Sequence, residues 1–171
     1  YDRGGRIYRY TLPHSPASPA TGTFERCFDA GGMLVQSTDP VGGRVRVRHD
    51  RLSRPVLKEV DQEGAAAPTR YSFSYDPPEP NRKARGRLWR VTAPVGATEI
   101  VYDPRGFAVE SRYEPAAATL GGPGWPTAIS TTLKYGLLGE LTELSYRLGP
   151  AGAVPAGTFA YHRDARGRLT R

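Results

Sequence analysis

The sequence predicts an all-β protein: a long, twisted antiparallel β-sheet assembled from repeated strand-turn-strand units. Three observations predict it. Gly (20) and Pro (16) make up about a fifth of the 171 residues, against a usual share of roughly 12%. In helix interiors these residues cost about 1 and 3 kcal/mol. A hexapeptide of the form aromatic-Asp-x-x-Gly-Arg recurs along the chain. The residues before several copies alternate with period two, the pattern of a strand with one wet face.

The copies come in order. Tyr1-Asp2-Arg3-Gly4-Gly5-Arg6 is the first, and Phe28-Asp29-Ala30-Gly31-Gly32-Met33 the second. His49-Asp50-Arg51-Leu52-Ser53-Arg54 is the third. A fourth opens at Tyr75-Asp76 and closes at Gly86-Arg87 around a longer loop. Tyr102-Asp103-Pro104-Arg105-Gly106-Phe107 is the fifth. Tyr135-Gly136-Leu137-Leu138-Gly139-Glu140 lacks the aspartate, and Arg163-Asp164-Ala165-Arg166-Gly167-Arg168 lacks the aromatic. Successive starts lie 27, 21, 26, 27, 33 and 28 residues apart. Periods of this size mark arrays whose units bury apolar surface only by stacking on neighbours.

The hexapeptide reads as a backbone reversal. Asp favours the first position of a type I turn, where its carboxylate accepts backbone N–H groups. Gly three residues on supplies the left-handed conformation that closes a bulged hairpin. Strands are therefore expected on either side. Val45/Val47/His49, Tyr71/Phe73/Tyr75, Thr98/Ile100/Tyr102 and Phe159/Tyr161/Arg163 alternate before four of the turns, and Arg44, Arg46 and Arg48 form the opposite face of one strand. After the turns come Ile7, Leu34, Leu88, Ala108, Leu141 and Leu169. A second kind of reversal, Pro followed two residues later by Gly, is expected at Thr38-Asp39-Pro40-Val41-Gly42 and Thr92-Ala93-Pro94-Val95-Gly96. The sheet is expected to have one packed and one wet face. The whole of 1–171 reads as one repeat region of about six to seven repeats, with surface-loop insertions near 13–22, 77–85 and 116–126. Little or no helix is expected.

Composition narrows function less. The net charge of +7 comes from 21 Arg and 3 Lys against 17 acidic residues. It suits phosphate, an anionic membrane or an acidic partner without choosing among them, and a GC-rich genome also accounts for the arginine excess. The single cysteine, Cys27, leaves no internal disulfide framework. No apolar run is long enough for a membrane span, and no signal peptide opens the chain. Tyr1 is not an initiator methionine, so the chain reads as a fragment of a longer one.

Taken together, the seven Tyr-Asp-x-x-Gly-Arg-type copies resemble the YD-repeat, or RHS-repeat, family. The match is nearest at Tyr1 to Ile7, Gly86 to Phe107 and Arg163 to Leu169. Members include bacterial polymorphic toxins, the B and C components of insecticidal toxin complexes, and teneurins. The resemblance implies an antiparallel ribbon spiralling into a large hollow shell. In the bacterial members that shell encloses a C-terminal toxic domain. It implies a secreted or cell-surface bacterial protein whose partners are the remainder of the shell, the enclosed toxin domain and other toxin-complex subunits. Nothing in the chain matches the family's plug region with its autoprotease signature, so the resemblance is to shell wall alone. The alternative function is adhesion or carbohydrate binding at a cell surface.

Catalytic, cofactor and metal sites are not expected. His49-Asp50 looks like a phosphohydrolase dipeptide, but it fills the aromatic-Asp slot of the repeat. His14, His49 and His162 lack ligand spacing. Cys27 has neither a base nor an activating environment in the sequence. The basic stretch Arg82 to Arg87, with Trp89 and Arg90 beside it, has the composition of a nucleic-acid surface. It reads as a solvated turn, and no specific nucleic-acid partner is expected. Tyr1, Tyr75, Tyr102 and Tyr135 read as aromatics packed along the sheet. The residues singled out are therefore those of the turn: Tyr1, Asp2, Gly5, Arg6, Phe28, Asp29, Gly32, Tyr75, Asp76, Gly86, Arg87, Tyr102, Asp103, Gly106, Tyr135, Gly139, Asp164, Gly167 and Arg168.

Overall fold

Fourteen strands, and no helix, make up the described part of this computed structural model, which comprises residues 1–12, 22–77, 83–116, 126–149, 154–164 and 167–170. The predicted insertions fall largely on 13–21, 78–82 and 117–125, outside the described residues. Strands β1 to β12 form one open antiparallel sheet in which strand order is chain order, and β13 and β14 form a short separate hairpin. Neighbours in sequence are thus neighbours in space throughout, the simplest connectivity for antiparallel strands. No described helix is long and apolar enough to cross a membrane.

The chain divides into two units, Tyr1–Ser72 and Phe73–Arg171. The first holds β1 (Arg9–Leu12), β2 (Gly22–Phe28), β3 (Leu34–Thr38), β4 (Arg44–His49), β5 (Pro55–Asp61) and most of β6 (Thr69–Tyr75). The second holds β7 (Leu88–Ala93), β8 (Gly96–Tyr102), β9 (Ala108–Pro115), β10 (Ile129–Tyr135), β11 (Leu141–Leu148), β12 (Val154–Ala160), β13 (His162–Arg163) and β14 (Leu169–Thr170). The alternation at Phe159/Tyr161/Arg163 does not run as one strand, because β12 stops at Ala160 and β13 begins at His162.

Register separates two faces in each unit. In unit 1 the row Arg9–Glu25–Thr38–Arg44–Asp61 and the row Cys27–Gln36–Arg46–Glu59–Arg70 share one face. The other face carries Tyr10 opposite Phe24, and the row Ser37–Val45–Val60–Thr69. In unit 2 one face holds Arg90–Glu99–Arg112–Ser130–Arg147 and Lys134–Glu143. Its reverse holds Val91–Thr98–Tyr113–Ile129–Leu148, Ile100–Ser111–Thr131–Tyr146 and Leu133–Leu144–Phe159. A one-residue slip would exchange the two faces, so this segregation is what holds register.

Among the described residues neither unit shows the expected packed face. Among the described residues only Ala84 and Ala128, each 1% exposed, and Ser130 are buried, and no large side chain is fully buried. Topology explains this. Each described connection returns along the end of its own strand pair, and none crosses a face to lay down a second layer. The apolar face is stabilised instead by lateral contacts within it. Tyr10 stacks on Phe24 at 4.9 Å and Tyr146 meets Phe159 edge-on at 6.2 Å. Arg26 lies 5.2 Å from the Tyr10 ring and Lys58 5.5 Å from that of Tyr71. Cation–ring contacts of this kind contribute about 0.5–1 kcal/mol each at exposed sites.

Candidate functional site: the motif turns

Six of the seven motif copies close the same ring. At Asp2 the residue's own N–H donates to the Arg6 carbonyl at 2.9 Å, while the Gly5 N–H donates to the Asp2 carbonyl at 3.0 Å. The same pair of bonds recurs at Asp29, Asp50, Asp103, Gly136 and Asp164. The third turn residue after the aspartate is left-handed: Gly5 (φ 73°), Gly32 (85°), Gly106 (94°), Gly139 (86°) and Gly167 (77°). In the larger fourth copy Gly86 (φ 74°) donates its N–H to the Asp76 carboxylate at 2.5 Å. The register shifts by one residue at Cys27/Phe28, Arg48/His49, Val101/Tyr102 and Lys134/Tyr135. A bulge therefore precedes the aromatic slot in each of these copies and re-aims it.

One turn departs from the sequence reading. Thr38 to Gly43 is not a Pro-Gly reversal of its own kind. Asp39 donates to Gly43, Gly42 donates to Asp39, and the Asp39 carboxylate takes the Val41 and Gly43 N–H groups. It is the motif turn with Thr38 in the aromatic slot. Pro94-Val95, by contrast, is a two-residue link between β7 and β8. At the third copy Ser53 adopts φ 61°, where the other copies have glycine. An L-residue costs roughly 1–2 kcal/mol there, partly offset by glycine's extra chain entropy. Ser53→Gly is accordingly expected to stabilise the protein by about 0.5–1 kcal/mol, read as a higher urea midpoint at unchanged slope.

The motif arginine has a task that the spacing alone did not reveal. Arg6, Arg54 and Arg168 each donate from Nε to the carboxylate four residues earlier, at 2.7, 2.7 and 2.8 Å, with Nη2 on the same oxygen at 2.6, 2.7 and 2.8 Å. The other carboxylate oxygen takes the backbone N–H of the same arginine. In the fifth copy the residue after the glycine is Phe107, and Arg105 supplies the guanidinium to Asp103 at 2.9 Å. The Asp2 carboxyl is held below its ordinary range by the Arg6 side chain and then by backbone N–H groups. At Asp50 and Asp103 desolvation pushes upward, and the hydrogen bonds from Arg54, and from Phe107 and Arg105, outweigh it. In the sixth copy, which lacks the aspartate, the Glu140 carboxylate folds over Gly136 into the space a Cβ there would take. Arg105 donates to the Gly136 carbonyl at 2.7 Å. Leu137 and Leu138 stand 97% and 95% exposed at its tip.

The turns also hold one another. The residue after the motif glycine reaches the aromatic of the next copy. Arg6 lies 4.6 Å over Phe28, Arg87 lies 5.7 Å over Tyr102, and Phe107 stacks on Tyr135 at 4.9 Å. The same three side chains cover the motif glycines. A Cβ on Gly32 would meet the Arg6 guanidinium at 2.9 Å, one on Gly106 would collide with the Arg87 guanidinium, and one on Gly139 would meet the Phe107 ring at 2.7 Å. Glycine is thus favoured by its dihedral at all three positions, and at Gly139 also by the Phe107 ring above it, whereas the guanidinium ends over Gly32 and Gly106 can swing aside. The expectation that Tyr102 and Tyr135 pack along the sheet becomes more specific: each receives the last motif residue of the preceding copy. Tyr102 also donates its hydroxyl to the Leu88 carbonyl at 2.6 Å, and desolvation pushes its pKa upward.

The remaining candidates lie apart. Tyr1 is exposed at the start of the first turn. Cys27 is exposed on the charged face opposite Gln36. His49 lies opposite Pro55, and its Nδ1 has no hydrogen-bond partner among the described residues. His162 is exposed in β13, and His14 lies outside the described residues. Among the described residues no three His, Cys, Asp or Glu side chains converge. The Arg44/Arg46/Arg48 row does share one face, but Arg46 pairs with Asp61 at 2.9 Å and Glu59 at 3.7 Å, and Arg70 pairs with Glu59 at 2.8 Å. It is a charge ladder rather than a cationic stripe. Of the basic stretch, Arg82 lies outside the described residues, Ala84 is buried, and Arg87 is engaged over Tyr102.

No family model matches the chain, and no curated protein matches it. Solved structures do. Crystal structures of TcdB2-TccC3-Cdc42, of TcdB2-TccC3 without its hypervariable C-terminal region and of TcdB2-TccC3-TEV are similar at 16% identity over 89%, 90% and 89% of this chain. The TM-scores are 0.32, 0.33 and 0.32. The chain spans 10% of the length of each of those chains. At that identity and TM-score the likeness assigns neither family nor function.

Proposed function

We propose that this chain is non-catalytic wall material: a stretch of an RHS-type shell that encloses a C-terminal toxic domain of a secreted bacterial toxin. The motif resemblance supplies the shell and the cargo. One structural observation supports the wall. Four of the motif aspartates hold their own turns together, since the carboxylates of Asp2, Asp50, Asp103 and Asp164 bond turn N–H groups and guanidinium groups within their own copies. A strand pair closed in this way extends by repetition, and what it contributes to function is confinement.

The test uses the parent polypeptide. Limited proteolysis of the intact parent is expected to leave the region after the repeats uncut under conditions that digest that region in isolation. Equal cleavage in both settings overturns enclosure. Adhesion or carbohydrate binding is the competing outcome, and the exposed pair Tyr146 and Phe159 is the surface on which it would act. Sugar binding by the chain that disappears in Tyr146→Ala and Phe159→Ala would establish it.

A further inference from the structure

The two faces of unit 2 differ in a way that the turn motif does not require. The charged face carries Arg90, Glu99, Glu110, Arg112, Lys134 and Glu143, much of it neutralised within the sheet. Arg90 pairs with Glu99 at 3.1 Å and Lys134 with Glu143 at 2.9 Å, and Lys134 holds the Glu143 carboxyl below its ordinary range. The reverse face, by register, carries no charged residue on any strand from β7 to β12. At its β11–β12 margin Tyr146, Val154 and Phe159 are 38%, 58% and 56% exposed. Exposed apolar patches of more than a few hundred Å² mark interaction sites.

The face is large enough to decide what covers it. Its six strands are 6 to 8 residues long. At the usual rise and strand spacing that is a patch of roughly 24 by 29 Å. It offers about 700 Å² per copy, or about 1,400 Å² for two copies face to face, within the range of specific interfaces. Two such faces meet with no buried charge on either side, so the penalty for desolvating charge is absent and only hydroxyls such as those of Thr98, Ser111 and Thr131 lose water. Twisted sheets stack at about 30° and 10 Å apart, and a two-fold axis makes the contact self-complementary.

We propose that this chain associates with a second copy of itself through the charge-free face of unit 2, forming a two-layer sandwich. The inference stands on that face alone and is independent of the shell reading. Sedimentation equilibrium of the 171-residue chain, 18.7 kDa as a monomer, is expected to give twice that mass, with a dissociation constant of about 1 μM or tighter. Tyr146→Lys/Phe159→Lys places charges on the face and is expected to weaken association at least ~100-fold. Thr132→Lys puts the same charge on the other face, opposite Glu110 and Ser145, and is expected to leave the dimer intact. If the lysine pair loses its β-sheet circular dichroism, Tyr146→Ser/Phe159→Ser serves in its place. A monomeric parent chain at ~100 μM overturns the proposal. So does a dimer that survives the face substitutions, since it would then form through the β12 edge. An open-ended polymer overturns it as well.

Discussion

Gly96→Ala is expected to be among the most damaging single substitutions in the protein, at about 4 kcal/mol. Gly96 follows the two-residue Pro94-Val95 link and pairs with Pro115. Its φ of +149° lies in a region that is essentially glycine's own, where another residue costs roughly 1–3 kcal/mol. The added methyl also has nowhere to go. It would collide with the Glu114 carbonyl oxygen and come within 2.9 Å of both the Pro115 Cα and the Tyr113 ring. Two of these three are backbone, which cannot swing aside, and overpacking of this kind costs about 1–3 kcal/mol more. The surroundings are braced, since the Val95 carbonyl accepts the Tyr113 hydroxyl at 2.8 Å and the Ala116 N–H at 2.9 Å. Urea unfolding followed by circular dichroism measures the loss. A change below about 1 kcal/mol would show that β9 does not press against the link as described.

Gly139→Val is expected to cost about 3 kcal/mol, and Gly5→Val distinctly less. Both glycines are left-handed, at 86° and 73°, so both variants carry the strain of about 1–2 kcal/mol that an L-residue meets there. They differ in what lies above. Nothing is within 4 Å of a Cβ on Gly5, whereas one on Gly139 meets the Phe107 ring at 2.7 Å and must push it from the Tyr135 stack. That stack contributes about 0.5–1.5 kcal/mol beyond its buried area. A double-mutant cycle isolates the plate. With Phe107→Ala in place, Gly139→Val is expected to fall towards the Gly5→Val value. Equal losses for Gly5→Val and Gly139→Val would mean that the contact between copies carries no energy.

The strand-and-turn plan was legible because it rests on local chemistry. Asp2, Gly5, Asp103 and Gly106 announce their turns through dihedral preference and carboxylate reach, both contained within five residues. The Asp39 turn was misread because Pro40 and Gly42 advertise a different reversal and Thr38 hides the aromatic slot. The Arg6–Phe28 and Phe107–Tyr135 contacts were less legible. They span 22 and 28 residues, and their only signal is that a bulky residue follows the glycine in one copy and a ring opens the next. The missing core was not legible either. Alternation at Val45/Val47 and Thr98/Ile100 reports that a face is apolar, not that anything covers it.

Strand order that copies chain order also governs how the protein assembles. Each new strand needs only the one made just before it, so pairing proceeds from whichever end is available without waiting for a distant partner. At the motif turns and at the Pro94-Val95 link the loop closed is short, and closure entropy grows with loop length, so the longer β1–β2, β6–β7 and β9–β10 connections are the costlier steps. A chain of this kind suits folding during synthesis, rung upon rung as it emerges.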